Sequence, residues 1–469
     1  MAAEITGNEK TAYIKALVND IFVWRPRTFY CVPEPDPEFI KELTTKNVVP
    51  GLFNNIVDML MIVQQPSLPL GVTPRYVLTD LTDVPGYHLV STKFKKYGLA
   101  LFERDGLIRV CCFPMQAKGA VLWYRISLPN HKMWEQYPDI SIRITYPANF
   151  YDMEWADIVV FQRFLPEFQG LMKYCFEMGK KTIYETDDLD IYIPQTNPLY
   201  WQYQVGNMIG EMKNMMNMAD VITVTTDTLQ KEMTTFGERV VVLRNKINLD
   251  YPAWNQPKVT RDRVTIGWAG GSSHFDDLQI VRQFVQQVCR SSNVDFMMCG
   301  YSKGGIQYLY VEDKQTGMVR VKEEKLERGM WDDVVDIFKQ EIGDRFVVRN
   351  ALPLEQYPKF FSEFDIAIAP LQDNRFNSGK SELKVVEAGV YSLPVVASDV
   401  APYREIIKHG ENGFLAKNTR EWIKYLTRLI NDKELRIIMG KNLRATVEKR
   451  YNANDQKKLV DLYRKLKGG

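Results

Sequence analysis

Asn377-Ser378-Gly379-Lys380-Ser381-Glu382-Leu383-Lys384-Val385-Val386-Glu387-Ala388, followed by Ser392-Leu393-Pro394-Val395-Val396-Ala397-Ser398, decides how this chain reads. Gly379 and Ser381 predict a cap that opens a helix, with Lys380 just before its start. Lys384 and Glu387 lie on that helix three positions apart, and Pro394 starts a buried apolar strand. A helix N-terminus offers free N–H donors and a partial positive charge. Two lysines add full charge there. Glu387 lies a turn further in, where a carboxylate can accept hydrogen bonds from a ribose diol. The set suits a nucleoside diphosphate carrying a further group. It lacks the Gly-x-x-x-x-Gly-Lys-Ser/Thr run of an ATPase loop. A helix salt bridge alone would explain Lys384 and Glu387, but exposed pairs contribute only ~0.3–0.5 kcal/mol. Such a pair does not account for a Gly-Lys-Ser entry between two buried strands.

Outward from this stretch the chain alternates strand, loop and helix, the pattern of a doubly wound parallel sheet. Strands are predicted at 107–113, 141–145, 158–162, 181–185, 221–225 and 240–243, with helices at 166–178 and 203–218. After a linker holding Pro252 and Pro257, a second alternating unit follows. Its strands are predicted at 264–268, 294–299, 345–349, 366–369 and 395–397, with an added helix at 331–341. Residues 433–451 and 455–466 read as helices. Residues 1–105 have a different texture, with frequent proline and short apolar segments, and read as a small mixed α/β extension with several turns.

In open α/β sheets, ligands bind beyond the carboxyl ends of strands. That rule selects Gly270-Gly271-Ser272, whose glycines allow close backbone approach to phosphate, and His274 and Asp277 just after. It also selects Arg375, as a phosphate or sugar contact. The loop Tyr184-Glu185-Thr186-Asp187-Asp188-Leu189-Asp190, with three Asp and one Glu, is a solvated acidic loop, a metal site, or a place to orient the acceptor hydroxyl or the donor sugar. Arg163 follows an apolar strand directly, where an unpaired guanidinium is costly to bury.

These segments resemble a GT-B glycosyltransferase of the family 4 type. Besides the Lys380 helix, the resemblance rests on Ala219–Thr226, on Arg244-Asn245-Lys246-Ile247-Asn248-Leu249-Asp250, on Thr265–His274 and on Phe364–Pro370. It implies an α/β chain of two Rossmann-like doubly wound parallel-sheet domains facing a cleft, preceded by the extension. The expected boundaries are 1–105 for the extension and 106–250 for an acceptor domain. A nucleotide-sugar donor domain is expected over 251–450, and a C-terminal helix crossing back over 451–469. Many relatives carry two glutamates separated by seven residues; Glu387 fits the second, and Gly379 stands at the first.

The resemblance implies transfer of a sugar from a nucleoside diphosphate sugar, UDP-linked, to an acceptor hydroxyl with retention, and no metal. The catalytic candidates are Lys380, Lys384, Asp187, Asp188 and Arg163. The donor-binding candidates are Gly270, Gly271, Ser272, His274, Arg375, Ser381 and Glu387. The acceptor could be a glycan, a protein or a modified base in DNA. Three further readings stay open: transfer to hydroxymethylated DNA bases, an inactive GT-B scaffold, and an epimerase or phosphorylase on the same architecture. No lysine stands in a recognisable pyridoxal-phosphate setting.

Composition bounds the partners. A formal net charge of +2 argues against a chain built globally to bind polyanions. Locally, residues 441–469 hold nine Lys/Arg against three Asp/Glu. That stretch is either a solvated helix face or a contact with an anionic surface. The six cysteines show no CxxC pair and no zinc spacing, and read as reduced core residues of a cytoplasmic protein. No run approaches the ~20 apolar residues of a membrane span.

Overall fold

Apolar runs without polar alternation form strands covered on both faces, and two sets of them organise this chain. The structure, a computed structural model, describes residues 29–32, 60–63, 76–79, 84–91 and 100–468, except 196, 198–199, 201–202, 204–206, 238, 272–273 and 313–318.

In the N-terminal segment β1 (Phe29–Val32), β2 (Leu60–Val63) and β3 (Tyr76–Thr79) run parallel. β5 (Ala100–Arg104) pairs antiparallel with β3, and β4 (Tyr87–Ser91) pairs antiparallel with β5, giving the order β1–β2–β3–β5–β4. The rest of the expected extension lies outside the described residues.

The second sheet is built from β6 (Ile108–Phe113), β7 (Ile140–Ile144), β8 (Ile158–Gln162), β9 (Lys181–Glu185), β10 (Val221–Val224) and β11 (Val240–Val242). Its order is β11–β10–β9–β8–β6–β7. The pairs from β7 through β10 are parallel. Crossover helices such as Pro166–Glu177 bury Phe168, Leu171, Met172 and Cys175.

The third sheet contains β12 (Val264–Ala269), β13 (Val294–Tyr301), β16 (Phe346–Asn350), β17 (Ile366–Ala369), β18 (Val395–Ser398) and β19 (Phe414–Ala416), in the order β16–β13–β12–β17–β18–β19. Every pair is parallel. Helices Phe275–Ser291 and Thr419–Asn431 pack on this sheet, with Phe284 stacked on Trp422 at 4.8 Å between ring centres. Between β13 and β16 the chain adds an antiparallel hairpin of β14 (Gly305–Glu312) and β15 (Val319–Leu326), then helix Met330–Ile342. The sequence reading placed the helix and not the hairpin.

Two compact units result. One comprises residues 1–186, 213–223 and 453–469; the other comprises 187–212 and 224–452. The C-terminal helix Lys457–Gly468 belongs to the first, where Leu459, Val460, Leu462 and Tyr463 are buried and the Tyr463 hydroxyl donates to Asn130 Oδ1 at 2.8 Å. Arg464 and Lys467 on that helix pair with Asp139 and Asp157, while Lys457, Lys458 and Lys465 stay exposed.

Candidate functional site

The site begins where β12 ends. Its apolar residues place Trp268 in the core of the second unit, edge-on to Trp331 and His274. The chain must then turn tightly into helix Phe275–Ser291. Gly270 makes that turn against the end of β13, its N–H donating to Cys299 O at 3.1 Å. Gly300 opposite has φ +104°, and a Cβ there would stand 2.1 Å from Gly270 O, so only glycine fits. Gly271 O accepts the His274 N–H at 3.2 Å. Ser272, expected in the same loop, lies outside the described residues.

His274 sits at the start of the following helix with Nδ1 2.7 Å from Asp277 Oδ2. Asp277 is buried, and its other oxygen accepts the Gln372 N–H at 2.8 Å. Burial, then the Lys384 charge, push the His274 pKa down to about 4, with Asp277 opposing. His274 is therefore neutral at pH 7 and contributes no cation.

The second wall follows β17. Asn374 caps a short turn, Arg375–Ser378, by accepting the Asn377 N–H. Gly379 comes next, where a Cβ would stand 2.7 Å from the Leu189 side chain. No larger residue fits there without moving Leu189, which accounts physically for glycine at this position. The helix itself runs Leu383–Val390 and starts later than the sequence predicts. Glu382 occupies its cap position, because Ser381 Oγ is engaged with Asn245 Nδ2 at 3.0 Å and caps nothing.

Every residue of this helix from Val385 to Val390 is buried, so it is packed on all sides beyond its first turn. Lys384 reaches back to β12: its Nζ donates to Ala269 O at 2.8 Å and lies 5.1 Å from the centre of the Trp268 ring. A Cβ on Gly270 would stand 2.7 Å from that ammonium. Burial pushes the Lys384 pKa down, and Glu387 and Asp277 oppose it. Glu387 is buried and accepts from the Tyr357 hydroxyl at 3.2 Å. Lys380 sits over the Phe376 ring, with Nζ 3.3 Å from Asp188 Oδ1.

Lys384, Gly270, Gly271 and His274 are thus brought together, with Glu387 on the same helix as Lys384. Lys380 and Asp188 form a neighbouring pair, and Asp187 precedes it. Arg375 lies elsewhere, stacked on Tyr192 at 3.7 Å and paired with Glu232 at 3.0 Å. Arg163 belongs to the first unit. It is buried, takes φ 57° in the left-handed region, and its N–H donates to Glu185 O at 2.7 Å. Beside it, Arg125 pairs with Glu185 at 2.6 Å from a widened π-turn, Trp123–Ser127.

Sequence reasoning missed Tyr357, Arg244, Glu382 and Tyr451. A buried acid opening an apolar helical turn was the available signal for Glu382. Cys111, Cys112, Cys175, Cys289 and Cys299 are buried, and burial pushes the thiols of Cys175 and Cys289 up to about 12, which leaves them inert. Among the described residues no group of three or more His, Cys, Asp or Glu could hold a metal ion, and no helix is long and apolar enough to cross a membrane.

Comparison with known proteins agrees with this architecture. Residues 264–432 match the family model described as "Glycosyl transferases group 1". A Dictyostelium discoideum protein named GDP-Man:Man(3)GlcNAc(2)-PP-Dol alpha-1,2-mannosyltransferase is 26% identical over 113 residues, 24% of this chain and 22% of that one. The chain therefore spans about a fifth of the length of this curated relative. A glycosyltransferase structure from Rickettsia africae is similar at TM-score 0.52 and 12% identity, covering 77% of this chain and 99% of that one. The structure of Anabaena Alr3699/HepE in complex with UDP is similar at TM-score 0.50 and 13% identity, covering 76% and 98%. At these identities the likeness is one of fold. The chain has a GT-B fold, α/β with two Rossmann-like parallel-sheet domains, and its residues 264–432 match the glycosyl transferases group 1 model.

Proposed function

We propose that the second unit binds a nucleoside diphosphate sugar and that the protein transfers the sugar to an acceptor hydroxyl. The observation that carries this reading is the Lys384 ammonium held at the carboxyl end of β12, beside the Gly270–Gly271 turn. The glycine turn allows close backbone approach, and the two lysines supply charge for a diphosphate without a metal. His274, neutral and oriented by Asp277, adds a polar contact. Glu387, held by Tyr357, faces the ribose hydroxyls in this assignment.

The chemistry asked of the protein is positioning and stabilisation of a departing diphosphate. Negative charge grows on the leaving oxygens as the glycosidic bond breaks. Lys384 and Lys380 gain interaction energy at that moment, which lowers the barrier. Asp188, paired with Lys380, fixes that lysine between turnovers. Ser381 stands at the entry to the Lys384 helix on the donor side, and Asp187 precedes the Asp188–Lys380 pair; Arg375, held by Tyr192 and Glu232, takes no part in this assignment. The family resemblance supports a UDP-linked donor and retention. The Dictyostelium relative is, by its name, a GDP-mannose enzyme, so GDP is the competing nucleotide. Mass spectrometry of products formed from UDP- and GDP-sugars with a panel of glycan, protein and hydroxymethylated DNA acceptors tests the activity. Transfer from a nucleotide sugar supports it; hydrolysis-free, product-free incubation across the panel contradicts it.

A further inference from the structure

Glu382 and Ser381, the two residues that lead into the Lys384 helix, are gripped from a distant part of the chain. Arg244 Nη1 lies 3.1 Å from Glu382 Oε1, and Asn245 Nδ2 donates to Ser381 Oγ at 3.0 Å. The Tyr451 hydroxyl adds a third hold, donating to Glu382 Oε1 at 2.6 Å. Ile247 N–H donates to Tyr451 O at 2.8 Å, so the segments carrying Arg244 and Tyr451 are tied to each other as well. Arg244 is itself fixed, by Glu405 at 2.6 Å and Asp227 at 2.7 Å.

Such a grip is needed because Glu382 is 2% exposed, and a carboxylate that deep is costly without charged and hydrogen-bonding partners. Its backbone matters too. Glu382 O accepts the N–H groups of Val385 and Val386 at 2.9 and 3.1 Å, which starts the helix. Moving the Glu382 side chain therefore moves the first turn, and Lys384 stands in that turn. We propose that Arg244, Asn245 and Tyr451 are positioning residues that hold the Lys380–Lys384 turn in its phosphate-binding geometry. They touch no substrate and act through Ser381 and Glu382. This inference rests on the nucleoside diphosphate reading given above.

The test uses the full chain and the variants Asn245→Ala, Tyr451→Phe and Arg244→Lys. Asn245→Ala removes the amide that holds Ser381, Tyr451→Phe removes the hydroxyl that holds Glu382, and both keep the buried charges balanced. Arg244→Lys keeps the charge but cannot span three carboxylates. Calorimetry measures the tightest-bound of UDP, GDP and ADP, and the matching nucleoside. Hydrogen exchange follows amides 380–386 in unliganded protein, with amides 435–447 as the internal reference. The expected result is about a tenfold loss of nucleoside diphosphate affinity in each variant, nucleoside affinity unchanged, and faster exchange confined to 380–386. Lowered thermal stability with unchanged nucleotide affinity and unchanged local exchange would show mere structural support and overturn the inference. A wild type that binds none of the three nucleotides overturns the functional reading and this inference together. A wild type that binds one of them, with variants that bind it equally, overturns this inference alone.

Discussion

Lys384 Nζ donates to the carbonyl oxygen of Ala269 at 2.8 Å, tying a helix lysine to the last residue of β12. An ammonium so placed needs a strong acceptor, because burial disfavours its charged form. An anionic diphosphate arriving at the Gly270–Gly271 turn would meet that charge already in place. Preorganisation of this kind is what makes electrostatic stabilisation effective.

Gly270→Ala tests the closeness of the approach. The added Cβ would stand 2.7 Å from Lys384 Nζ and from Trp268 Cζ2. Trp268 is buried between Trp331 and His274 and cannot yield, so the lysine must shift. Overpacking of this sort costs about 1–3 kcal/mol. A lowered kcat with a smaller rise in donor KM, the signature of a displaced Lys384, is expected from steady-state kinetics; wild-type values would show that Lys384 does not meet the donor.

Glu387→Ala removes the buried carboxylate proposed to meet the ribose hydroxyls. Nucleotide binding should weaken by about 1–3 kcal/mol, the range for losing a hydrogen bond to a charged group. Tyr357→Phe frees the same carboxylate from its hydroxyl partner and should give a smaller loss in the same direction. Calorimetry on both variants reads this directly. Equal affinity in Glu387→Ala and wild type removes the ribose role.

Lys380→Ala and Lys384→Ala should lower kcat more than they raise KM, since the charge they meet grows in the transition state. Because Lys380 occupies Asp188 at 3.3 Å, EDTA should leave transfer largely intact. If both lysine variants keep wild-type kcat and KM, the diphosphate role is wrong. Complete, metal-reversible loss of activity in EDTA would instead make Asp187 and Asp188 ligands.

The strands were legible because a buried parallel strand is written as a continuous apolar run. β8 and β9 occupy their expected residues, and β6, β7, β12 and β18 differ by a residue at one or both ends. The β14–β15 hairpin was not, although alternating Tyr308, Tyr310, Val319 and Val321 around a polar turn carried the signal. Lys380, Lys384 and Gly270 could be found from strand-end loops. Arg244 could not be joined to Glu382 that way, because 138 residues separate them and no local spacing records the pairing. Leu189 packing on Gly379 is likewise a tertiary fact.

The depressed histidine makes a pH prediction. His274 has a pKa near 4 when folded against 6.5 ordinarily, so the unfolded chain binds more protons between those values. Stability should therefore be fully present above pH 6.5 and be lost as pH falls toward 4, by about 3 kcal/mol for this group. Urea midpoints measured from pH 7 to 4 should fall less steeply in His274→Gln than in wild type. Parallel curves would show that His274 titrates normally.

In the proposed function, residues 264–420 hold a nucleoside diphosphate through the Lys384 turn. Isothermal titration calorimetry of the wild-type chain with UDP, GDP and ADP addresses it most directly, with Lys384→Ala as the control. The account predicts one site per chain, filled best by UDP, with affinity lost in Lys384→Ala while the variant stays folded. Correctly folded wild type that takes up none of the three nucleotides, or a Lys384→Ala variant that binds UDP as tightly as wild type, would contradict it.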